Sequence, residues 1–395
     1  MTEVVIVSAV RTPIGRANKG TLKDVRADDL AALAVKAAVE RVPQLDRSLI
    51  EDVILGCAFP EGEQGMNLAR IVGALAGLPE TAGGVTVNRF CASSLQAVNM
   101  AAQSIMLGLG EVIIAGGVES MSRVPMGGFN PSYNPRLIKG QQDSSVYPPC
   151  ELEYGYSSYL PMGMTAENLA RDYSISREEQ DAFALRSHQR ALAAIDNGIF
   201  KREIVPVPLP NGNLLETDEG PRRDTSLARL AQLEPAFLKG GSVTAGNSSP
   251  LNDGAAAVVL MSSERAQELG IQPLARIRTM AVSGVNPSIM GIGPVPAIRK
   301  LLQRANLQLN DIDIIELNEA FAAQSLSVVK ALEIDQTKLN PHGGAIALGH
   351  PLGCSGARLI TTLLNDLQTL DKTLGIATLC VGGGQGVATL IERLV

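Results

Sequence analysis

Apolar residues along the chain follow two rhythms. Short runs of β-branched and aliphatic residues, such as Val4-Val5-Ile6-Val7, Val53-Ile54-Leu55 and Val112-Ile113-Ile114-Ala115, read as buried strands. Between them, at 30–39 and 94–107, apolar positions recur every three or four residues and predict helices. Strands and helices alternating over most of the length predict an α/β fold. The rhythm breaks between about Met121 and Val243, where Pro, Tyr and turn clusters such as Asn130-Pro131-Ser132-Tyr133-Asn134-Pro135 collect. One helix stands inside this stretch, at 176–197, with Ser176 and Glu179 spaced as a capping box. The stretch reads as an insertion between two α/β units, its loops placed for ligand contacts.

The pattern also repeats. Ile50-Glu51-Asp52-Val53-Ile54-Leu55-Gly56-Cys57-Ala58-Phe59 aligns with Ile312-Asp313-Ile314-Ile315-Glu316-Leu317-Asn318-Glu319-Ala320-Phe321, 262 positions on. Val112 to Gly117 aligns with Ala377 to Gly383 within a few residues of that offset. Order and spacing both recur, so the chain reads as two copies of one α/β unit, each with a Gly-rich strand end. The predicted division is 1–120 plus 244–270, an insertion over 121–243, and a second half over 271–395.

Composition sharpens this. Across 395 residues, 45% hydrophobic and 19% charged, the chain can bury a large core without staples. Aromatics are only 3% and Trp is absent, against 39 Gly, so the core is small and aliphatic, suited to close layers. The net charge of −6 argues against non-specific nucleic-acid binding and a membrane-surface role. Five cysteines lie scattered at 57, 91, 150, 354 and 380 with no C-x-x-C, which argues against disulfides and structural zinc. No apolar run reaches the ~18 residues of a membrane span. A strand starting at Val4 leaves no room for a leader, and Glu392-Arg393-Leu394-Val395 carries no sorting address, so the expected location is the cytoplasm.

Four stretches hold candidate chemistry. In Asn88-Arg89-Phe90-Cys91-Ala92-Ser93-Ser94, Cys91 falls at a helix N-terminus, where free N–H groups favour a thiolate and can hold an oxyanion. In Gly349-His350-Pro351-Leu352-Gly353-Cys354-Ser355-Gly356, a rigid loop presents His350 as a base. Cys380-Val381-Gly382-Gly383-Gly384-Gln385-Gly386 resembles a dinucleotide loop, but an apolar strand-like run follows where that motif needs a helix. Its glycines instead let backbone amides approach a ligand, with Cys380 facing the same pocket. Asn318 in Leu317-Asn318-Glu319 ends a buried strand, placed to cap a turn or fix a water. Of the remaining histidines, His188 reads as a solvated helix residue and His342 lies in a Pro-Gly turn.

These residues carry a family resemblance over essentially the whole chain. Asn88–Gln96, Gly116–Ser120, Ser242–Ala257, Met290–Pro296, Asn318–Ala322, Gly343–Gly356 and Cys380–Gly386 resemble, in order, the motifs of the thiolases. The resemblance implies two duplicated α/β halves in five layers, α-β-α-β-α, with an inserted loop domain. It makes Cys91 the acyl-carrying nucleophile, His350 its base and Cys380 the second acid/base. Asn318 would hold a water that shares one oxyanion hole with His350, and the amides of Cys91 and Gly382 would form another. Arg222, Phe237, Ala245 and Ser249 match coenzyme A contacts, Met162 and Met290 match positions near the acyl pocket, and Phe321 joins the substrate- and CoA-binding set. Cys354 reads as a packing residue. The implied reaction is thiolytic cleavage of 3-ketoacyl-CoA in fatty-acid β-oxidation, with coenzyme A as a substrate and neither cofactor nor metal. A homodimer or homotetramer is implied as well, while membership of a β-oxidation multienzyme complex is left open. Arg89-Phe90 before the cysteine and Pro161 before Met162 favour longer acyl chains over acetoacetyl-CoA, whose thiolase is the alternative. A decarboxylating ketoacyl synthase and a non-catalytic thiolase-like lipid carrier fit less well, because Asn318 replaces a second His and Cys91, His350 and Cys380 are all present.

Overall fold

The computed structural model describes residues 2–137 and 158–394, so Cys150 and part of the insertion lie outside the described residues. Its main strands are β1 (Val4–Arg11), β2 (Asp52–Gly56), β3 (Val85–Val87), β4 (Val112–Ser120), β5 (Asn252–Ser262), β6 (Ala275–Gly284), β7 (Ile314–Leu317), β8 (Leu374–Val381) and β9 (Gln385–Arg393). The longer helices are α1 (Ala27–Glu40), α2 (Leu68–Leu75), α3 (Ser93–Met106), α4 (Met162–Asp172), α5 (Arg177–Asp196), α6 (Pro294–Ala305), α7 (Ala322–Leu332) and α8 (Leu352–Thr369). Hydrogen bonds join the strands in the order β7-β8-β9-β6-β1-β5-β4-β2-β3, and the short strand Gly15–Arg16 adds to β5.

The duplication is visible in this order. β2 and β7 start at 52 and 314, β4 and β8 at 112 and 374, both pairs 262 apart. β4 runs parallel to β2 and antiparallel to β5, which pairs antiparallel with β1. β8 likewise runs parallel to β7 and antiparallel to β9, which pairs antiparallel with β6. A short antiparallel contact of Val5 and Ile6 with Arg276 and Ala275 joins the two sets.

Layering follows from strand alternation. Ile54, Ile113, Val258 and Leu260 of the first set share one core with Ala377, Leu379, Val387 and Ile391 of the second. That shared core is filled by α3 and α8 through Leu95, Val98, Ile105, Leu359, Leu363 and Leu367. The alternate residues Val53, Leu55, Ile114 and Val259 face outward onto α1 and α2. Ile315, Leu317, Ile376 and Leu390 face outward onto α6 and α7. Helices therefore cover both outer faces and fill the middle, giving the five layers that the sequence implies.

One expectation needs correction. Gly116 and Gly117 read as the end of a strand, but β4 continues through them to Ser120. Gly117 is needed inside the strand because a Cβ there would stand 2.2 Å from the carbonyl oxygen of Gly353 in α8. Central-layer contact is equally close elsewhere: a Cβ on Gly356 would stand 2.2 Å from the Leu95 amide nitrogen. The Ala357 amide donates to Ser94 Oγ at 2.9 Å, locking the N-termini of α3 and α8 together.

Within the insertion, α5 has the predicted capping box. The Glu179 amide donates to Ser176 Oγ (3.1 Å) and the Ser176 amide donates to Glu179 Oε2 (2.6 Å). Fully buried Arg11 ties the insertion to β1, donating to Asp218 at 2.7 and 2.9 Å and to Glu203 at 2.5 Å.

Candidate active site

β3 ends at Val87 and α3 starts at Ser93; the 3-10 turn Phe90–Ala92 between them holds Cys91. Phe90 has φ +42°, a left-handed conformation that bulky residues avoid. Its neighbours enforce it. Asn88 Oδ1 accepts from the Phe90 amide at 2.8 Å. Ser93 Oγ accepts from the Arg89 amide at 2.9 Å and donates to the Phe90 carbonyl at 2.6 Å. Strain of this kind persists where the surroundings over-determine it, and here it stands directly before a buried thiol.

The sequence predicts a resting thiolate at Cys91; the structure corrects this. Burial pushes the thiol up to about 11, against the lowering effect of the Gly382 and Cys91 N–H groups, and the charge of Glu119 adds to the rise. Those two amides, from opposite halves of the chain, both meet the sulfur. The resting group is a neutral thiol, so its attack requires a base.

His350 lies at the foot of α8, two residues before Leu352, and α8 packs directly on the Phe90–Ala92 turn. It is buried, its amide donates to Asn252 Oδ1 at 3.0 Å, and its Nδ1 lies 2.6 Å from Ser355 Oγ. The single hydroxyl hydrogen of Ser355 goes to the Pro351 carbonyl at 2.7 Å. Nδ1 therefore carries the imidazole proton and donates it to Ser355, leaving Nε2 as the unprotonated, accepting nitrogen. Burial, with the Arg358 charge adding to it, holds His350 down to about 3, so the ring is neutral at pH 7. Asn318 Nδ2 donates to Nε2 at 3.3 Å, while Asn318 Oδ1 is buried with no partner among the described residues. Such an acceptor is suited to an ordered water. Asn318 thus faces His350 rather than capping a turn.

Cys380 sits fully buried in β8, its thiol pushed up by burial and by neighbouring Cys91. It shares an apolar cluster with Met290, Phe321, Ala320 and Val243, with Met162 packed against them. Phe237 stands edge-on to Phe321 at 5.9 Å. The Ser249 amide donates to the Ala320 carbonyl at 3.0 Å, bringing that loop to the same place. A Cβ on Gly382 would lie 3.7 Å from both Met162 Sδ and the Phe90 ring. Arg222 and Ala245 are exposed on loops and do not join the cluster.

Sequence reasoning misplaced His188. It is buried, not solvated, and its Nδ1 accepts from the Arg222 amide at 3.2 Å, because α5 packs beneath the loop that carries Arg222. His342 pairs with Asp366 at 2.5 Å. Three supporting residues went unread. Glu119, buried in β4, accepts from the amides of Ala58 (2.8 Å) and Gly353 (2.8 Å) and from Gln64 Nε2 (2.9 Å). A carboxylate in an apolar strand was its signal. Ser355 and Asn252, which orient His350, look like ordinary loop residues in the sequence.

A buried thiol under two N–H groups, a neutral imidazole with an unprotonated Nε2, and a second thiol in an apolar pocket can take up an acyl group, hold an oxyanion and move a proton. Comparison with known proteins agrees with that chemistry. Residues 4–264 match the family described as "Thiolase, N-terminal domain" and residues 271–393 match "Thiolase, C-terminal domain". The chain belongs to the thiolase family. Within it, the chain is 49% identical over 404 residues to a 3-ketoacyl-CoA thiolase of Bacillus subtilis, covering 99% of this chain and 100% of the relative. It is 51% identical over 406 residues to a beta-ketoadipyl-CoA thiolase of Pseudomonas aeruginosa, covering 99% of each. The solved human mitochondrial 3-ketoacyl-CoA thiolase in complex with CoA superposes with a TM-score of 0.89 at 41% identity, covering 100% of this chain and 98% of that one. The two thiolase segments meet between the end of β5 and the start of β6.

Proposed function

We infer that this thiolase cleaves 3-ketoacyl-CoA with coenzyme A, releasing acetyl-CoA and a shortened acyl-CoA. One observation carries the reading: the Cys91 sulfur meets the Gly382 amide from the other half of the chain and neighbours the Cys380 thiol. The relatives named 3-ketoacyl-CoA thiolase support the substrate class.

His350 Nε2 takes the Cys91 proton as sulfur attacks the 3-keto carbon. Both groups are neutral at rest, so the negative charge builds on the substrate oxygen, where the Cys91 and Gly382 amides receive it. Collapse breaks the carbon–carbon bond and leaves the acyl group on Cys91. The electron pair departs as the acetyl-CoA enolate, whose oxygen is held by protonated His350 and an Asn318-bound water. Cys380, kept protonated by burial, donates its proton to the enolate carbon. The incoming coenzyme A thiol then gives its proton to the Cys380 thiolate and attacks the acyl thioester. Cys91 leaves and regains its proton from His350. Arg222, Phe237, Ala245 and Ser249 bind coenzyme A, and Met162, Met290 and Phe321 line the acyl site. Coenzyme A is a substrate here, and the residues assign no step to another cofactor. The same reading assigns the enzyme to cytoplasmic β-oxidation as a homodimer or homotetramer.

A thiolysis series on 3-ketoacyl-CoA from four to sixteen carbons, with beta-ketoadipyl-CoA included, tests the substrate class. Each buried methylene contributes about 0.8 kcal/mol, so an eight-carbon substrate should exceed acetoacetyl-CoA in kcat/KM by up to about a hundredfold. A preference for acetoacetyl-CoA would move the enzyme to the acetyl-CoA C-acetyltransferase alternative.

A further inference from the structure

The Gly382 amide stands beside the Cys91 sulfur, yet the two come from different halves of the chain. β8 and β9 pair as far as Val381 and Gln385, and the tip between them is all glycine. Gly383 and Gly384 have φ of +79° and +85°, and no side chain at the tip can fix its position. Two side chains of the nucleophile turn reach this hairpin: the Phe90 ring packs by Gly382, and Arg89 makes a hydrogen bond across. Arg89 stands two residues before Cys91, and its Nη1 donates to Gln385 Oε1 at 2.6 Å across 296 positions of sequence.

Both ends of this bridge are anchored. The Arg89 amide is held by Ser93 Oγ at 2.9 Å. Gln385 pairs with Gly284 in β6, and its carbonyl oxygen packs close against Gly293, 2.1 Å from where a Cβ there would stand. Arg89 Nε is buried with no hydrogen-bond partner among the described residues. Keeping a partly desolvated guanidinium for one hydrogen bond to a neutral amide costs stability, which argues for a role beyond packing.

We propose that Arg89 is a positioning residue for the Cys91–Gly382 oxyanion hole. Its bridge to Gln385 sets how far the tip of the hairpin stands from the nucleophile turn, and so aims the Gly382 amide. Arg89 touches none of the reacting atoms and acts through Gln385. The proposal rests on the thiolytic reading above. The bridge leaves the His350–Ser355 contact and the loop carrying Arg222 untouched, so its loss should lower turnover and spare coenzyme A binding.

The test is a kinetic comparison of Gln385→Leu, Gln385→Glu, Arg89→Met and the Arg89→Met/Gln385→Leu double variant with the wild-type enzyme. A misplacement near 1 Å costs up to about a hundredfold, so each bridge-breaking variant should lose about 10- to 100-fold in kcat with KM for coenzyme A within about twofold. The double variant should be no slower than the worse single one. Gln385→Glu keeps the acceptor and should stay within about threefold of wild type. An unchanged kcat in Gln385→Leu, a loss confined to KM, or single losses that multiply in the double variant would each overturn the proposal. If Arg89→Met does not fold, the two Gln385 variants decide alone. If the wild-type enzyme shows no thiolysis, the functional reading fails instead, and the bridge is then read from Cys91 alkylation. Gln385→Leu should shift that pH curve upward through loss of the Gly382 N–H, and Gln385→Glu should not; equal curves would overturn the bridge.

Discussion

Three groups decide the chemistry at the residue scale, and burial makes all of them neutral at rest. It raises the thiols of Cys91, to about 11, and Cys380, and holds His350 down to about 3. An ordinary cysteine titrates near ~8.5. The iodoacetamide alkylation rate of Cys91 in the free enzyme should therefore still be climbing above pH 9; a plateau at pH 7 would show a resting thiolate. His350→Ala should slow alkylation at neutral pH because it removes the base. Cys380→Ser should leave alkylation intact and lower turnover by at least about a hundredfold, within the usual range for a lost general acid. The identity of these residues was legible chiefly through the thiolase motifs that contain them, with the helix start after Cys91 and the Gly-Pro bracket around His350 as independent signals. Their protonation was not, since it depends on a central layer that closes over them from both halves. His188 shows the same limit: polar neighbours in sequence made it look solvated, while the Arg222 loop that covers it comes from 34 positions away.

Elements are held at the site by small residues more than by large ones. Gly-to-Ala inside an exposed helix usually stabilises by about 0.5–1 kcal/mol. Gly356→Ala should do the reverse, because its Cβ would press within 2.2 Å of the Leu95 backbone where α3 crosses α8. Overpacking of this kind costs about 1–3 kcal/mol, and the displaced helix ends should also lower turnover. Denaturant midpoints and kcat on one preparation check both; a stabilised, fully active variant would refute the close crossing. Ser176→Ala should cost about 1 kcal/mol by removing the α5 cap, with turnover unchanged. That cap was legible because its two partners lie three residues apart. β4 running through Gly116-Gly117 was not, because the partner that demands glycine, Gly353, is 236 residues further along.

Across the whole molecule, the insertion is tied to the sheet by a buried charge cluster and to pH by a buried histidine. Arg11→Met would leave Asp218 and Glu203 buried without their cation, a loss of about 3–5 kcal/mol. Equilibrium unfolding measures it, and a neutral result would contradict the cluster's role. His188 is held down to about 4, chiefly by burial and then by the Arg222 and Arg16 charges, against 6.5 ordinarily. Its folded form stays neutral, so the unfolded chain binds the extra proton below pH 6.5, and the stability it contributes is present above that value and lost as pH falls toward about 4. The wild-type protein should thus lose stability relative to His188→Gln by up to about 1.4 kcal/mol per pH unit in that window, and hold a constant difference above pH 7. A difference that does not change with pH would refute it.

The central claim is that a single cysteine carries the acyl group while the second only moves protons. Incubating the full chain with acetyl-CoA, quenching in acid and mapping peptides by mass spectrometry tests it most directly. The account predicts one acetyl group, on the peptide containing Cys91, and none in His350→Ala on the same timescale. An acetyl group on Cys380 or Cys354, or none on Cys91, would contradict it.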